Sequence, residues 1–453
     1  MLCFACNSIS LTLITIGSAM ASIRNNPAEW ENAVNELKNY PAEFPGMGDL
    51  IFPCLKFSYD HLSSETHRKC FLFCALFLKN QLIRKDELID LWIGEGLLRD
   101  SHNIAVARLQ GESIIDSLIR VCLLEEVQTY FGNYVKMHDM LRDLALWIAS
   151  QDKGNKILAS KPENGKLIID QQSVTWNKAV RVSLWSFAVT SLVPRPLSLR
   201  RFFKKSPTPA PPSCPRLLTL LVRYASMKEL PEWFFQSMPA LRVLEWSRNG
   251  DLTKLPMQKG ELINRRYLNL SDTDISQLPI EIKGCCQLII LLLDGTEKLK
   301  AIPKGLLSEL SALQQLFSQY LTSLVNVPLL RFLFATNCPL LEEIIANHQA
   351  GQPIIGFTYL KQLNLNRLPE LKSICGSAMA FSSLESVYVS KCPKLKKLPF
   401  ELSVWAKRNT VLIGEEEWWD QLTWTDGATK DVFSSKFIPF SDFRSWLLEP
   451  SYT

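Results

Sequence analysis

Tyr267-Leu268-Asn269-Leu270-Ser271 is a five-residue stretch in which leucine alternates with polar or amphipathic neighbours. Such alternation fits a short strand that sends Leu268 and Leu270 to one face and Tyr267, Asn269 and Ser271 to the other. The stretch belongs to a longer frame, LxxLxL, that opens at Arg265. Similar frames open at Leu217, Leu241, Leu288, Leu313, Leu330, Leu360 and Leu384, with successive steps of 24, 24, 23, 25, 17, 30 and 24 residues from Leu217 onward.

Two further signals keep the same phase. Leu-Pro or Ile-Pro pairs place Pro231, Pro256, Pro279 and Pro303 eleven or twelve residues after Leu220, Leu244, Leu268 and Leu291. Later units share the tails Cys338-Pro339, Leu368-Pro369 and Cys392-Pro393, each beginning five residues after the central apolar residue. Three features locked to a period near 24 define a leucine-rich-repeat solenoid, in which each unit covers the apolar face its neighbour leaves open.

Upstream the period changes. Asn26, Pro27 and Glu29 open a helix carrying Trp30, Ala33, Val34 and Leu37, stopped by Pro41 and Pro45. Leu55 to Leu62, Arg68 to Leu78 and Asp86 to Ile93 read as helices, the second almost wholly apolar and the third stopped by Gly94 and Gly96. Ile114, Ile115, Leu118, Ile119 and Cys122 mark another. Glu126 to Met137 reads as a hairpin turning at Gly132-Asn133, and a last helix follows Asp139. Helices followed by a hairpin predict a winged-helix fold. The proline-rich, basic segment Arg195 to Pro212 reads as an exposed linker.

The expected fold is therefore α+β and multidomain. Helices over 1–45 precede a winged-helix domain over 46–150. A linker and first repeat with the proline-rich insertion span 151–212, the solenoid 213–413, and a cap or tail 414–453.

Composition narrows the function classes. With 453 residues, 47% of them hydrophobic, the chain can bury several cores. A net charge of +5, from 50 basic and 45 acidic residues, argues for no particular polyanionic partner. The 12 cysteines are irregularly spaced, and Cys3-Phe-Ala-Cys6 has no second pair to complete a zinc site, so reduced thiols are expected. The apolar run Ile9 to Gly17 lacks a preceding Lys or Arg, so it is not read as a secretion signal, and no run approaches the ~20 residues of a membrane span.

Five motifs follow one another in order: Leu55-Lys56-Phe57-Ser58-Tyr59-Asp60-His61-Leu62, Cys70-Phe71-Leu72-Phe73-Cys74-Ala75-Leu76-Phe77, Leu91-Trp92-Ile93-Gly94-Glu95-Gly96, Val135-Lys136-Met137-His138-Asp139 and Glu415-Glu416-Glu417-Trp418-Trp419. This ordered set resembles the plant disease-resistance proteins of the coiled-coil, nucleotide-binding, leucine-rich-repeat class. It covers nearly the whole chain except Arg195 to Pro212. The resemblance implies a start inside the nucleotide-binding module, with Cys6-Asn7-Ser8-Ile9-Ser10-Leu11-Thr12-Leu13 as a degraded form of that module's Gly-Leu-Pro-Leu-Ala motif. No GxxxxGK[ST] loop occurs, so no ATP hydrolysis is expected and ADP or ATP is not expected to be retained.

The resemblance implies that His138 approaches the β-phosphate of ADP, consistent with its place before a helix N-terminus. The alternative is a surface His138 with Asp139 capping the helix. Metal chemistry is not expected, because His61, His67, His102 and His348 show no ligand spacing. The outward strand positions Arg223, Glu245, Arg248, Asn269, Gln315, Phe317, Gln362, Asn364 and Tyr388 are the candidate protein-binding surface, with Phe332 and Phe334 as candidate anchors. The alternative there is a solvated face with no dedicated ligand.

The expected role is a cytoplasmic, non-enzymatic immune receptor, with the plasma-membrane surface as an alternative site. Its partner would be a pathogen effector or a guarded host protein, and the winged-helix block would contact the repeats within the molecule. A repeat-only binding or decoy protein is the main alternative. A DNA-binding regulator is a third, opposed by the acidic helix faces at Asp86, Glu87, Asp90, Glu112 and Asp116, so nucleic acid is not expected as a partner.

Overall fold

The computed structural model describes residues 52–99, 103–129, 132–152, 154, 156–159, 176–185, 214–224, 235–255, 264–300, 302–303, 305–318, 327–345, 357–375, 381–400, 410–424 and 426–440. The helix opened by Asn26, the Cys3/Cys6 pair, the segment Arg195 to Pro212, Pro231, Pro256, His102 and His348 lie outside these residues. The chain divides into two compact units, one holding 1–101, 105–159 and 179–183 and the other the remainder.

The first unit is helical with a small antiparallel sheet. Helices α1 (Phe52–Asp60), α2 (Glu65–Cys74), α3 (Lys85–Glu95), α4 (Ile104–Arg120) and α5 (Asp139–Gln151) surround β1 (Ile83–Arg84), β2 (Glu125–Thr129) and β3 (Gly132–Lys136). Ser64 caps α2 by accepting from the His67 N–H. The run Cys70 to Phe77 is wholly buried, which explains its unbroken apolar sequence. α2 ends at Cys74, short of the expected Leu78, because the chain tightens into turns closed by Leu76 N–H to Phe73 C=O and Phe77 N–H to Cys74 C=O. Gly96 ends α3 in the left-handed conformation, with its N–H on the Ile93 and Trp92 carbonyls.

The sheet order is β1-β3-β2, the arrangement of a winged helix. The hairpin corrects the expected turn. Gly132 pairs with Thr129 and Asn133 with Gln128, so both are strand residues rather than turn residues. This register buries Val135 while leaving Asn133 exposed. β1 is only two residues long, which is why no periodicity announced it.

The same unit holds β4 (Ile157–Ala159), in parallel register with the first three residues of β5 (Arg181–Trp185), Ile157 against Arg181, while Leu184 and Trp185 are counted in the second unit. Arg181 carries a buried ion pair. Its Nε donates to both Glu95 oxygens at 2.9 Å, and its Nη2 donates to Oε1 at 2.5 Å. The side chains are 2% and 1% exposed. Burial works against the Arg181 charge, but Glu95 more than offsets it and raises the guanidinium pKa. The guanidinium also lies 5.7 Å from the Phe73 ring centroid.

The second unit is a stack of parallel strands in the order β6 (Thr219–Arg223), β7 (Val243–Glu245), β8 (Tyr267–Asn269), β9 (Ile290–Leu293), β10 (Gln315–Ser318), β11 (Phe332–Thr336), β13 (Gln362–Asn366), β15 (Ser386–Ser390), β16 (Val411–Gly414) and β17 (Phe437–Pro439). Each of the eight LxxLxL frames yields a strand that begins two residues after the frame opens. The stack extends past the expected end of the repeats: β16 and β17 continue it through Leu412 against Phe437. A second short pair, β12 (Glu343–Ile345) with β14 (Ser373–Cys375), runs parallel within the later repeats.

One column unites the stack. Leu220, Leu244, Leu268, Leu291, Leu316, Leu333, Leu363, Val387 and Leu412 are cross-strand partners in succession. Each is at most 1% exposed. Arg265 occupies a frame position that is leucine elsewhere; it is fully buried, with its guanidinium bonded to the Leu241 carbonyl and 5.7 Å from the Phe235 centroid.

A second column turns the chain. Tyr224, Arg248, Asp272, Asn337, Arg367 and Lys391 have φ between 51° and 58°, and Gly295 has φ 64°. Each follows its strand, and its N–H reaches the next rung: Arg248 to the Ser271 carbonyl, Asp272 to Asp294, Asn337 to Asn366 and Arg367 to Ser390. At Gly295 a side chain is excluded twice, by φ and by Asp272, whose Oδ1 would sit 2.0 Å from an added Cβ. A third column closes each turn from inside. The Asn249 amide donates to the Val222 carbonyl, the Thr273 and Thr296 hydroxyls to the Leu270 and Leu293 carbonyls, and the Cys338 and Cys392 thiols to the Thr336 and Ser390 carbonyls.

At the far end the motif Glu415 to Trp419 is structural. In the preceding repeat the left-handed N–H finds a strand carbonyl, but the Lys391 N–H finds the Glu415 carboxylate at 3.1 Å. Helix α6 (Glu416–Asp420) buries Trp418, whose indole donates to the Leu395 carbonyl at 3.0 Å. Trp419 stacks on Phe437 at 4.3 Å, and α7 (Gly427–Ser434) adds Phe433 beside Phe400 and Trp424.

The Glu95–Arg181 pair yields a stability test. Arg181→Met leaves a buried carboxylate without its partner and is expected to cost about 3–5 kcal/mol. The double variant Glu95→Leu/Arg181→Met removes both charges and is expected to recover most of that loss. Urea unfolding of the full chain, with hydrogen exchange localising the change to α3, distinguishes the two; equal losses would contradict the account.

Candidate interaction face

In a parallel stack the residues flanking each core leucine leave the opposite face and meet their counterparts on neighbouring rungs, about 4.8 Å away. The candidate residues Glu245, Asn269, Phe317, Asn364 and Tyr388 therefore fall into one column, Leu221-Glu245-Asn269-Leu292-Phe317-Phe334-Asn364-Tyr388-Ile413. Gln315 and Gln362 stand in the adjacent column with Tyr267 and Phe332.

This face is more closed than the alternation predicts. Tyr267, expected to face solvent, is fully buried, and Arg223, Glu245, Asn269, Gln315, Asn364 and Tyr388 are each below 10% exposed. Gln362 and Phe317 are half-buried, and Arg248 alone of the nine candidates is exposed. The cause at the first rungs is a polar network. Glu245 Oε2 accepts from the Tyr267 hydroxyl at 2.9 Å and from the Asn269 amide at 2.8 Å. Its Oε1 accepts from the Ser247 N–H at 3.1 Å and lies 3.4 Å from Arg223 Nε. Arg223 also lies over the Trp185 ring at 5.0 Å. These outward residues carry core duty, because a carboxylate can be buried only with its acceptors filled. At Tyr388 burial raises the hydroxyl pKa, partly opposed by a hydrogen bond with Ser386.

The middle of the face is different. Leu292, Phe317 and Phe334 are cross-strand neighbours, all half-buried. The two rings stack at 3.8 Å with an interplanar angle of 8°. Phe332 is buried while Phe334 is not, so of the two candidate anchors the register leaves Phe334 accessible. Leu292 escapes sequence reading because an outward leucine in a leucine-rich frame looks like core.

At the C-terminal ends of these strands stand two carboxylates, also unmarked in the sequence. Asp294 Oδ1 accepts from the Thr336 hydroxyl at 3.0 Å, and the Asp294 N–H donates to the Ser271 hydroxyl at 3.2 Å. Burial, then the neighbouring Asp294 charge, raise the Asp272 pKa, while Arg248 opposes them. Arg248 itself lies over the Tyr224 ring and bonds its hydroxyl.

His138 lies in the first unit. It is exposed, and it rather than Asp139 caps α5: its Nδ1 accepts from the Met140 N–H at 3.2 Å. With Nδ1 accepting, the neutral ring carries its proton on Nε2, a donor at a helix N-terminus. Among the described residues no group of three or more His, Cys, Asp or Glu is placed to hold a metal ion.

Comparison with known proteins bears on both units. Residues 76–145 match the family described as "Disease resistance protein Winged helix domain", and residues 261–408 match "Plant disease resistance protein RPS2-like, leucine-rich repeats". Among curated relatives from Arabidopsis thaliana, Disease resistance protein SUMM2 is 29% identical over an alignment covering 97% of this chain and 60% of its own length. Disease resistance protein RPS5 is 28% identical over 97% of this chain and 60% of its own length. A probable disease resistance protein is 36% identical over 69% of this chain and 34% of its own length. The chain thus spans about 60% of the length of the relatives it matches end to end.

Two substitutions separate structural from accessible positions on this face. Glu245→Ala removes the acceptor of four buried partners and is expected to cost about 3–5 kcal/mol. Arg248→Ala, at an exposed position, should stay within about 0.5 kcal/mol. Thermal and urea unfolding of the two proteins check the contrast.

The raised Asp272 pKa has a defined sign. The folded state favours the protonated acid, so the penalty is absent below the unfolded pKa of about 3.9 and grows as pH rises through the folded value. Asp272→Asn should therefore be more stable than the parent at pH 7.5, with the difference shrinking at pH 4.5. Melting temperatures at the two pH values measure it; a variant less stable at pH 7.5 contradicts the assignment.

Proposed function

Because the chain belongs to the plant disease-resistance proteins, joining their winged-helix domain to their leucine-rich repeats, we propose that it recognises a protein ligand in plant defence through the outward strand face of the repeats. The observation that carries this is the half-buried column Leu292-Phe317-Phe334. Aromatic side chains held at partial exposure by their neighbours are the anchors of protein interfaces, and fixed rings lose little entropy on binding. The ligand would be a pathogen effector or a host protein such effectors modify. The protein itself would act in the cytoplasm without catalysis. Among the described residues no helix is long and apolar enough to cross a membrane.

His138 supports a second element of the reading. Its exposed Nε2 donor at the start of α5 fits one phosphate oxygen of a nucleoside diphosphate. In the family arrangement bound ADP would supply a switchable anion there; this sequence carries no GxxxxGK[ST] loop, so the chain would not retain the nucleotide and the contact would not act as a switch here.

The test uses the full chain against candidate effector and host proteins. Phe317→Asp/Phe334→Asp should weaken a genuine partner at least tenfold while leaving the melting temperature close to the parent. Unchanged binding would move recognition elsewhere. In the same preparations ATP turnover should not exceed a boiled control; turnover abolished by His138→Ala would contradict the non-enzymatic reading.

A further inference from the structure

The residues that precede the strands form a column of their own. Arg242, Arg266, Ile289, Gln314, Arg331 and Lys361 stand on successive rungs, each N–H from Arg266 onward donating to the carbonyl of the one before at 2.8–2.9 Å. Four of these six are cations, and they differ in what surrounds them. Lys361 pairs with Glu385 on the next rung. Arg331 donates to Gln314 Oε1 at 3.2 Å and lies over the Tyr359 ring at 5.2 Å. Arg266 is half-buried, and among the described residues no hydrogen bond or ion pair engages its guanidinium. The half-buried Arg242 stands on the rung before it.

Burial, then the Arg242 charge, lower the Arg266 pKa, and no carboxylate opposes them. The other arginines that burial penalises are compensated. Arg181 has Glu95 beside it, and Arg142 has the Phe77 carbonyl with Asp143 and Asp139. Arg266 has a like charge as its neighbour instead. A partly desolvated guanidinium next to another is a standing cost in the free protein, and an anion that reaches it relieves both terms of that cost.

We propose that Arg266, with Arg242 beside it, receives an Asp or Glu side chain of the protein ligand whose apolar residue seats on Leu292, Phe317 and Phe334. This rests on the strand-face reading above and names the charge of the partner. The two features lie on adjacent rungs. Arg266 precedes Asn269 by three positions, and Asn269 pairs with Leu292, so the backbones are about 11 Å apart, the span of three to four residues of an extended chain. Beyond Arg266 the column is neutral at Ile289 and Gln314. Two guanidiniums with neutral neighbours suit one carboxylate, held as a charge-assisted pair, and not the continuous basic stripe that a nucleic acid requires.

The probe is a random dodecapeptide phage library selected on the immobilised full chain at 0.15 M salt, followed by synthetic peptides titrated by fluorescence anisotropy. Selected sequences should carry an Asp or Glu within about four residues of a Leu, Met, Phe or Trp. Their dissociation constants should rise at least fivefold with Arg266→Gln, and should rise between 0.05 and 0.5 M salt. Lys361→Gln, which removes a cation already paired, should leave them unchanged. Arg266→Gln should melt at or above the parent temperature, because it relieves a like-charge contact. A charge swap separates binding from any structural effect: Arg266→Glu should lose the acidic peptides and gain those in which the acid is replaced by Lys. A consensus without acidic residues overturns the proposal, as does equal affinity for parent and Arg266→Gln. A double-stranded oligonucleotide that binds as tightly as the peptides and is lost with Arg266→Gln also overturns it, by assigning the pair to phosphate. Peptides lost on Phe334→Ser but kept by Arg266→Gln overturn it while leaving the strand face as the recognition surface; peptides kept by both variants overturn that reading as well.

Discussion

The leucine column from Leu220 to Leu412 is the constraint on which the second unit depends. No strand in it exceeds five residues, and none could bury its own apolar face. Parallel register brings each leucine against the next, so one residue per repeat builds a continuous core. Everything else in a repeat follows from the need to return to that register after about 24 residues. The left-handed column at Tyr224, Arg248 and Asp272 breaks the strand at a fixed point. The Asn, Thr and Cys column fills the carbonyls that the break exposes. Pro279 starts the return of its repeat, standing at the head of the turn Ile280–Gly284.

Among the described residues, the last rungs of the stack are covered differently from the others. Glu415 offers a carboxylate where another strand would offer a carbonyl. Trp418, Trp419, Phe433 and Phe437 cover the last rungs with rings instead of leucines. The Glu-rich, Trp-rich motif therefore reads as a cap for the solenoid. Its physical role is the same as that of the repeat it replaces: hydrogen-bond acceptors for the turn and apolar cover for the core.

The strand face shows how one column can serve two purposes. Around Glu245 the outward residues are locked into one another, with acceptors and donors matched, and are unavailable for recognition without loss of stability. Around Phe317 and Phe334 the rungs carry rings and a leucine that satisfy no polar group and remain half-buried. Accessible and closed surface alternate along the strand face because local chemistry, not strand position, decides which outward side chains can be filled by their neighbours. In the first unit the same rule appears in the Glu95–Arg181 pair, where a charge is buried only because its partner is buried with it.

The sequence by itself determined the repeat period, the start of every framed strand and the winged-helix order of helices and hairpin. These are set by short-range periodicity, in which a leucine every two or three residues and a proline eleven or twelve later can be read without neighbours. It also located His138 before a helix. What it could not determine was which outward residues stay outside. Tyr267 looked exposed by alternation and is buried, because its hydroxyl meets Glu245 on the preceding rung, 22 positions away in the chain. Leu292 was not among the candidate surface residues and is half-buried on the strand face, because Asn269 and Phe317 stand beside it rather than over it. The turn of the hairpin and the identity of the α5 cap depended likewise on register and on a side-chain rotamer. Burial is a property of pairs brought together by the stack, and only the tertiary structure decides those pairs.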